Sequence, residues 1–269
     1  MELSLRLTAL TLLLRPMGPW AIRAAILSLA VLALLTPRVL LASSTWMVLS
    51  LLIAVRIAWD WPLADNHIYL LAYWTFAIAL ALGHASPADA LARSSVVLLT
   101  IVFVMAVVWK AALSPDFLDG RFFRVTLLTD VRFDPLMRSI GGLTQDDLAH
   151  NRMALAALPE GAELLDPPPL VETSSFRRLV WMSTIGSLLL EAVMAVAGLV
   201  TIAGRPAARA MHAALLSFCA LTYAFAPVAG FGWLLLSIGA APAQADQRLL
   251  RAAYVATWML VLVYAEVRA

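Results

Sequence analysis

Hydrophobic residues occur along this chain in long blocks that are separated by short polar segments. A helix needs about 20 apolar residues to cross a hydrocarbon core about 30 Å thick. By this measure the pattern predicts membrane spans over residues 20–42, 44–59, 67–84, 94–113, 179–203, 209–240 and 249–266. Pro227, Gly230 and Gly232 interrupt the sixth block, which is therefore one broken helix or two spans joined by a tight turn. We expect an all-α, polytopic membrane bundle of seven or eight helices.

One long segment departs from the apolar pattern. Residues 114–178 contain ten of the seventeen acidic residues, seven arginines and the helix-breaking run DPPPL. We therefore predict an extramembrane loop or small subdomain here. It divides the chain into a first region, 1–113, with four spans, and a last region, 179–269, with the remaining spans. The first sixteen residues are too few to cross a membrane, so they are expected to form an interfacial helix.

The composition supports this class and excludes others. Apolar residues make up 62% of the 269 positions, and only 13% are charged. The formal net charge is +2, and the arginines are scattered without the clustered basic face that a nucleic acid requires. A single cysteine, Cys219, cannot form an internal disulfide or a CxxC redox pair. The histidine spacing matches no metal or haem motif, so we expect neither group.

The only lysine, Lys110, lies near the end of the fourth predicted span, whereas the other eighteen basic residues are arginines. A buried lysine can lose its proton near neutral pH, which an arginine does not do. Lys110 is therefore a candidate base. The alternative is that its ammonium extends to the membrane interface while its methylene groups cover apolar surface.

Helix order brings a second polar group toward this lysine. The third span begins at DNHIYL and the fourth ends at VVWKAAL, so in an antiparallel hairpin Asn66, His67 and Lys110 share one membrane face. We expect a mouth there, with the 114–178 loop as its lid. The alternative is that His67 begins a helix whose first amides are capped by Asp65 or Asn66.

A carboxylate and several aromatic rings complete the candidate site. Glu191 lies in the middle of its span, where it must be neutral, paired or directed at a cavity. It is either a proton relay or a structural partner of a group such as His212. Aromatic residues near one membrane level form an interfacial belt or a slot for a flat quinone ring: Trp59, Trp61, Tyr69, Tyr73 and Trp74.

Several short motifs resemble a known family. NHIYL at 66–70 opens an aromatic span, an intramembrane lysine follows about forty residues later, and the acidic and aromatic SPDFLDG comes next. Glu191 in SLLLEAVMAV and His212 in GRPAARAMHAALLSF continue the pattern. Together they resemble the horizontally transferred transmembrane domain family of vitamin K-dependent gamma-glutamyl carboxylase-like proteins.

The resemblance implies a quinol-dependent oxidoreductase or carboxylase-type lyase with reduced vitamin K or menaquinol as cofactor. In that reading Lys110 deprotonates the quinol, His67 supports it as partner or hydrogen-bond donor, and Glu191 tunes or relays charge. Residues expected to contact the quinone or substrate are Asn66, Trp59, Trp74, Tyr69, Asp116 and His212. The alternative is a non-catalytic membrane module that assists maturation of an exported peptide or protein, which the 114–178 loop binds.

The distribution of arginines gives an expected orientation. Arg38, Arg93, Arg205 and Arg209 lie opposite the proposed mouth, which places them in the cytoplasm by the positive-inside rule. We therefore expect an integral protein of a bacterial inner membrane that contacts lipid, a lipid quinol and a peptide substrate or accessory protein. Its active face is expected to be exoplasmic.

Overall fold

The computed structural model describes residues 1–15, 18–157, 169–204, 208–225 and 229–267. Every regular element in these ranges is helical, which confirms the all-α prediction. A π-helical turn, Trp109–Leu113, follows α6, and a 3₁₀ turn, Val131–Phe133, precedes α9. The helices are α1 Glu2–Leu14, α2 Trp20–Leu35, α3 Pro37–Leu40, α4 Ser43–Asp60, α5 Asn66–Leu82, α6 Pro87–Val108, α7 Pro115–Leu118, α8 Arg121–Thr129, α9 Asp134–Ser139, α10 Gln145–Ala154, α11 Ser174–Ile202, α12 Ala208–Phe225, α13 Ala229–Gly239 and α14 Arg248–Val267.

Two stretches are long and apolar enough to cross a membrane by length and composition, among the residues described. They are Pro87–Leu113, with 27 residues, and Ser174–Ile202, with 29. Three shorter apolar helices occur over Trp20–Leu35, Asn66–Leu82 and Gly230–Gly239. Two such stretches are weak evidence that the chain associates with a membrane.

The chain forms two compact units. Unit 1 comprises Met1–Phe103 and Val193–Ala269, and unit 2 comprises Val104–Ala192. Unit 2 therefore contains the described part of the segment 114–178 together with the residues on either side of it.

In unit 1, the expected interfacial helix α1 packs against α2 and α13. Leu5 and Leu12 on α1 are fully buried. The polar residues of α1 are hydrogen-bonded within the unit: Ser4 Oγ donates to the Ser237 carbonyl over 2.6 Å, and Thr8 Oγ1 accepts from Trp74 Nε1 over 2.9 Å. Because its buried polar groups have partners, α1 is an integral part of this unit.

The interrupted block 209–240 forms two helices, α12 and α13, and residues 226–228 lie outside the described ranges. The GFGW sequence lies in the first turns of α13, as helix rather than as a phosphate-binding loop. A Cβ at Gly230 would lie 2.9 Å from Arg15 Cδ, and one at Gly232 would lie 2.7 Å from the Tyr223 ring. These glycines therefore permit close side-chain approach.

In unit 2, the segment after Lys110 folds as a small helical subdomain with its own core. Asn151 on α10 is fully buried, and its side chain donates to the Val171 carbonyl over 2.9 Å and accepts from the Val171 amide over 2.8 Å. A Thr144–Asp147 capping box begins α10. The principal buried apolar side chains are Phe117, Leu127, Leu128, Phe133, Met137, Leu143, Leu148 and Phe176.

Candidate functional site

Lys110 lies in the π-helical turn Trp109–Leu113 at the end of α6. A π turn is rare and is found frequently at functional sites. It widens the backbone ring and changes the direction of the side chains that follow. The chain thus places its only lysine at an irregular point of an otherwise regular apolar helix.

Lys110 pairs with Glu191 of α11 within unit 2. Lys110 Nζ donates to Glu191 Oε1 over 2.5 Å, and the two side chains are 24% and 9% exposed. Glu191 was expected to be neutral, paired or directed at a cavity, with His212 as one possible partner. The structure gives it Lys110 instead.

The pair leaves one acceptor without a partner. Glu191 Oε2 is buried and, within the described part of the chain, accepts no hydrogen bond. A buried carboxylate oxygen normally has a donor, so an unpartnered acceptor at this position is unusual. Lys110 Nζ also lies 4.8 Å from the centre of the Phe117 ring, within the range of a cation–π interaction.

Asp116, the acidic residue next to Phe117, forms an ion pair with Arg121 rather than with Lys110. Its Oδ1 lies 2.8 Å from Arg121 Nη1, and both side chains are mostly exposed. Asp119 binds the other side of Arg121, with Nη2 to Oδ2 at 2.9 Å. Asp116 therefore belongs to a solvated charge cluster at the start of α8.

In unit 1, His67 lies beside a carboxylate and an arginine. Asp65 caps α5 by accepting from the His67 amide over 3.0 Å, and it binds Arg15 Nη2 through Oδ2 over 2.8 Å. His67 Nδ1 lies 3.1 Å from Asp65 Oδ1 but not in hydrogen-bonding geometry. The His67 ring stacks on Phe231, with centroids 4.0 Å apart. The cap predicted for this helix start is thus present.

The charge of Asp65 follows from these contacts. Burial raises the pKa of its carboxyl, but the hydrogen bond from the His67 amide and the nearby charges of His67 and Arg15 outweigh burial. The pKa of Asp65 therefore lies below its ordinary value. An ionised Asp65 caps the first amides of α5 and holds the Arg15 guanidinium at the helix start.

His212 has a different partner from the one considered from sequence. Its Nδ1 lies 2.7 Å from the hydroxyl oxygen of Tyr254, which is fully buried on α14. The ring borders a cavity of about 690 Å³ in unit 1, which Arg209 and Arg248 also line. This volume lies in the range of small-molecule pockets.

The remaining predicted contact residues are all in unit 1. Asn66 is exposed at the first position of α5, Trp59 is 71% exposed, and Tyr69 is half-buried. Trp74 is fully buried in the core and donates to Thr8.

Comparison of the chain with protein-family models, with curated proteins and with solved structures found no match.

The structure thus brings together Lys110 and Glu191 in unit 2, with Asp116 nearby in sequence. The expectation that His67 and Lys110 share one mouth stays a prediction. Sequence reasoning missed Phe117 and Arg15 as neighbours of the candidate residues. SPDFLDG contained a signal for Phe117, since an aromatic ring one turn or two beyond a lysine is within reach of its ammonium.

Proposed function

We propose that the chain is an integral membrane bundle of seven or eight spans. The composition and the two long apolar stretches support this setting. Trp20–Leu35 and Asn66–Leu82 have 16 and 17 residues, and at 1.5 Å per residue they are about 24–26 Å long, close to the thickness of a hydrocarbon core. The Lys110–Glu191 ion pair joins the two long apolar stretches. Charged residues within membrane spans are costly, and those that occur usually pair with one another or have a function.

We further propose that the protein is a vitamin K-dependent carboxylase-like, quinol-dependent enzyme in which Lys110 is the base. The observation that carries this proposal is the Lys110–Glu191 pair with its unpartnered Glu191 Oε2. A structural ion pair needs no spare acceptor. A proton-exchanging pair does, because a substrate hydroxyl must be oriented before it gives up its proton.

Two groups at this pair support the proposal of a bound quinol. Glu191 Oε2 offers a buried acceptor for one hydroxyl, and Phe117 supplies an aromatic face beside Lys110. When bound, a reduced vitamin K or menaquinol would supply the oxygen-dependent redox chemistry that no side chain supplies. The proposal rests on these two groups of unit 2.

The residues of the chain would then bind the quinol, orient its hydroxyl group and accept the hydroxyl proton. For this step Lys110 must be present as the neutral amine, and Glu191, 2.5 Å away, is the group that can take up or return its proton. As the amine, Lys110 Nζ accepts the quinol hydroxyl proton, and the ammonium it becomes is stabilised by the adjacent ring and carboxyl group.

Epoxide formation tests this role of Lys110. The purified protein in lipid nanodiscs, supplied with oxygen and reduced vitamin K or menaquinol, is expected to give quinone epoxide, measured by mass spectrometry. Lys110→Arg keeps the charge but removes the base, so epoxide should fall at least about 100-fold, the usual contribution of a general base. Arg138→Lys, at an exposed position of unit 2, is a control for exchanging the two cations away from the pair. Full activity in Lys110→Arg would exclude Lys110 as the base.

A second candidate function is a membrane module that binds a partner protein through the 114–178 segment. The subdomain exposes large apolar side chains, among them Val131, Ile140 and Met153. A contact surface requires such side chains to form one continuous apolar patch. Deletion of residues 121–154 is expected to remove a co-purifying partner if this function holds, and retention of the partner would exclude that surface.

A further inference from the structure

A groove in unit 2 lies between the start of α8 and the first turns of α11. Gly120, which precedes α8, has a φ of +79°, and a Cβ there would lie 3.1 Å from Val180 Cγ1. The absence of a side chain therefore lets this turn approach α11 closely. Beside the turn is a cavity of about 200 Å³, lined by Leu118, Asp119, Arg124, Arg177, Trp181 and Thr184 together with Gly120 and Val180.

The α11 wall of this groove follows helical periodicity. Arg177, Val180, Trp181 and Thr184 are spaced by three or four residues and therefore share one helix face. The charged group at the outer end is Arg177, and the buried groups at the inner end are Val180 and Thr184. The wall thus changes from basic to apolar along the helix.

The two arginines of the groove differ in their partners. Arg124 Nε lies 2.9 Å from Glu172 Oε1, so its charge is largely compensated. Asp119 shares Arg121 with Asp116, so this neighbouring cluster has one carboxylate more than it has guanidinium groups. Arg177 has no ion pair with any residue that the structure describes. Within the described part of the chain, Arg177 is therefore the arginine of the groove that has no ion pair, and Arg124 keeps donors that Glu172 does not use.

The lower part of the same helix is apolar and exposed. Trp181 is 65% exposed, and Met182, the next residue, and Leu189, about two turns further on, are similarly exposed. Exposed tryptophan next to arginine at the end of a candidate membrane span is typical of the membrane–water interface. A ligand with an anionic head and an apolar tail matches this order of charged, aromatic and aliphatic side chains.

We propose that this groove binds the phosphate group of an anionic phospholipid, with Arg177 as its main cationic contact and Arg124 as the second. Guanidinium groups bind phosphate through paired hydrogen bonds, and basic pockets beside membrane spans bind lipid head groups. Trp181 borders the glycerol region, and the acyl chains lie along the exposed face that contains Met182 and Leu189. The inference rests on the proposed membrane setting but not on chemistry at Lys110.

Lipid retention measured by native mass spectrometry tests the inference. The full chain, delipidated in neutral detergent, is titrated with phosphatidylglycerol, with phosphatidylcholine and with inorganic phosphate. Phosphatidylglycerol is expected to remain bound, and Arg177→Gln should weaken it about fivefold, the effect of one arginine near a lipid surface. Arg178→Gln is the matched control, because Arg178 is the next residue, exposed and outside the groove.

The other outcomes would overturn the inference in different ways. Equal loss in Arg177→Gln and Arg178→Gln would mean general surface attraction and no site. Equal retention of phosphatidylcholine would remove the role of the anionic head group. Saturable binding of inorganic phosphate with no lipid bound would make the ligand a free phosphate. Lipid retention is measured without turnover. Its result therefore stands even if the protein forms no quinone epoxide.

Discussion

Replacing Lys110 by methionine is expected to lower the free energy of unfolding by up to about 3 kcal/mol, because removing one partner of a buried pair leaves the other charge uncompensated. The side chain that remains, Glu191, is only 9% exposed and already has one oxygen without a donor. Denaturant titration in detergent micelles, followed by circular dichroism, measures this loss.

Two double variants distinguish the effect of losing the ion pair from the effect of losing one of its two charges. Lys110→Met combined with Glu191→Gln removes both charges and is expected to cost less than Lys110→Met alone, as for coupled residues in contact. Lys110→Glu combined with Glu191→Lys restores the ion pair in reverse and should regain most of the stability. A Lys110→Met protein as stable as the parent would show that the pair contributes nothing to the fold.

Replacing Gly198 by alanine is expected to destabilise unit 1 by about 1–3 kcal/mol, the usual cost of overpacking. A Cβ at this position of α11 would overlap Thr100 Oγ1 and lie 3.0 Å from Thr100 Cβ. Thr100 is buried on α6, and its hydroxyl donates to the Val96 carbonyl over 2.7 Å, so it has little room to move. The midpoint of thermal unfolding reports the loss.

Gly186 is the matched control on the same helix. Apart from the two chain neighbours and the backbone of α11 itself, no atom lies within 4 Å of a Cβ built there. Gly186→Ala should therefore be neutral or stabilise the helix by up to about 1 kcal/mol through helix propensity alone. Equal behaviour of the two alanine variants would contradict close packing at Gly198.

The helical fold was predictable because apolar blocks and breakers are local signals. Asp65 as the cap of α5 follows from residue type and position, and the interruption predicted within 209–240 agrees with the separation of α12 from α13. The burial of α1 was not predictable, because its apolar residues suit a protein core as well as a lipid surface. Only its partners in α2 and α13 decide between them.

The site was predictable in its residue types but not in its pairing. Lys110 and Glu191 are separated by 81 residues, and no local pattern joins them. The available signal was that each is a charged residue within an apolar block, since such residues in a membrane tend to pair with one another. The π turn at Trp109–Leu113 has no sequence signature, and the His212–Tyr254 contact depends on packing between α12 and α14.

The most direct test of a chemical role for the Lys110–Glu191 pair is quinone epoxide formation by the charge-reversed Lys110→Glu, Glu191→Lys protein, measured beside its unfolding midpoint. A base displaced by even about 1 Å loses on the order of 100-fold in rate. The account predicts a variant that regains the stability of the parent but forms almost no epoxide. Epoxide formation that returns in proportion to stability would show that the pair only holds the fold.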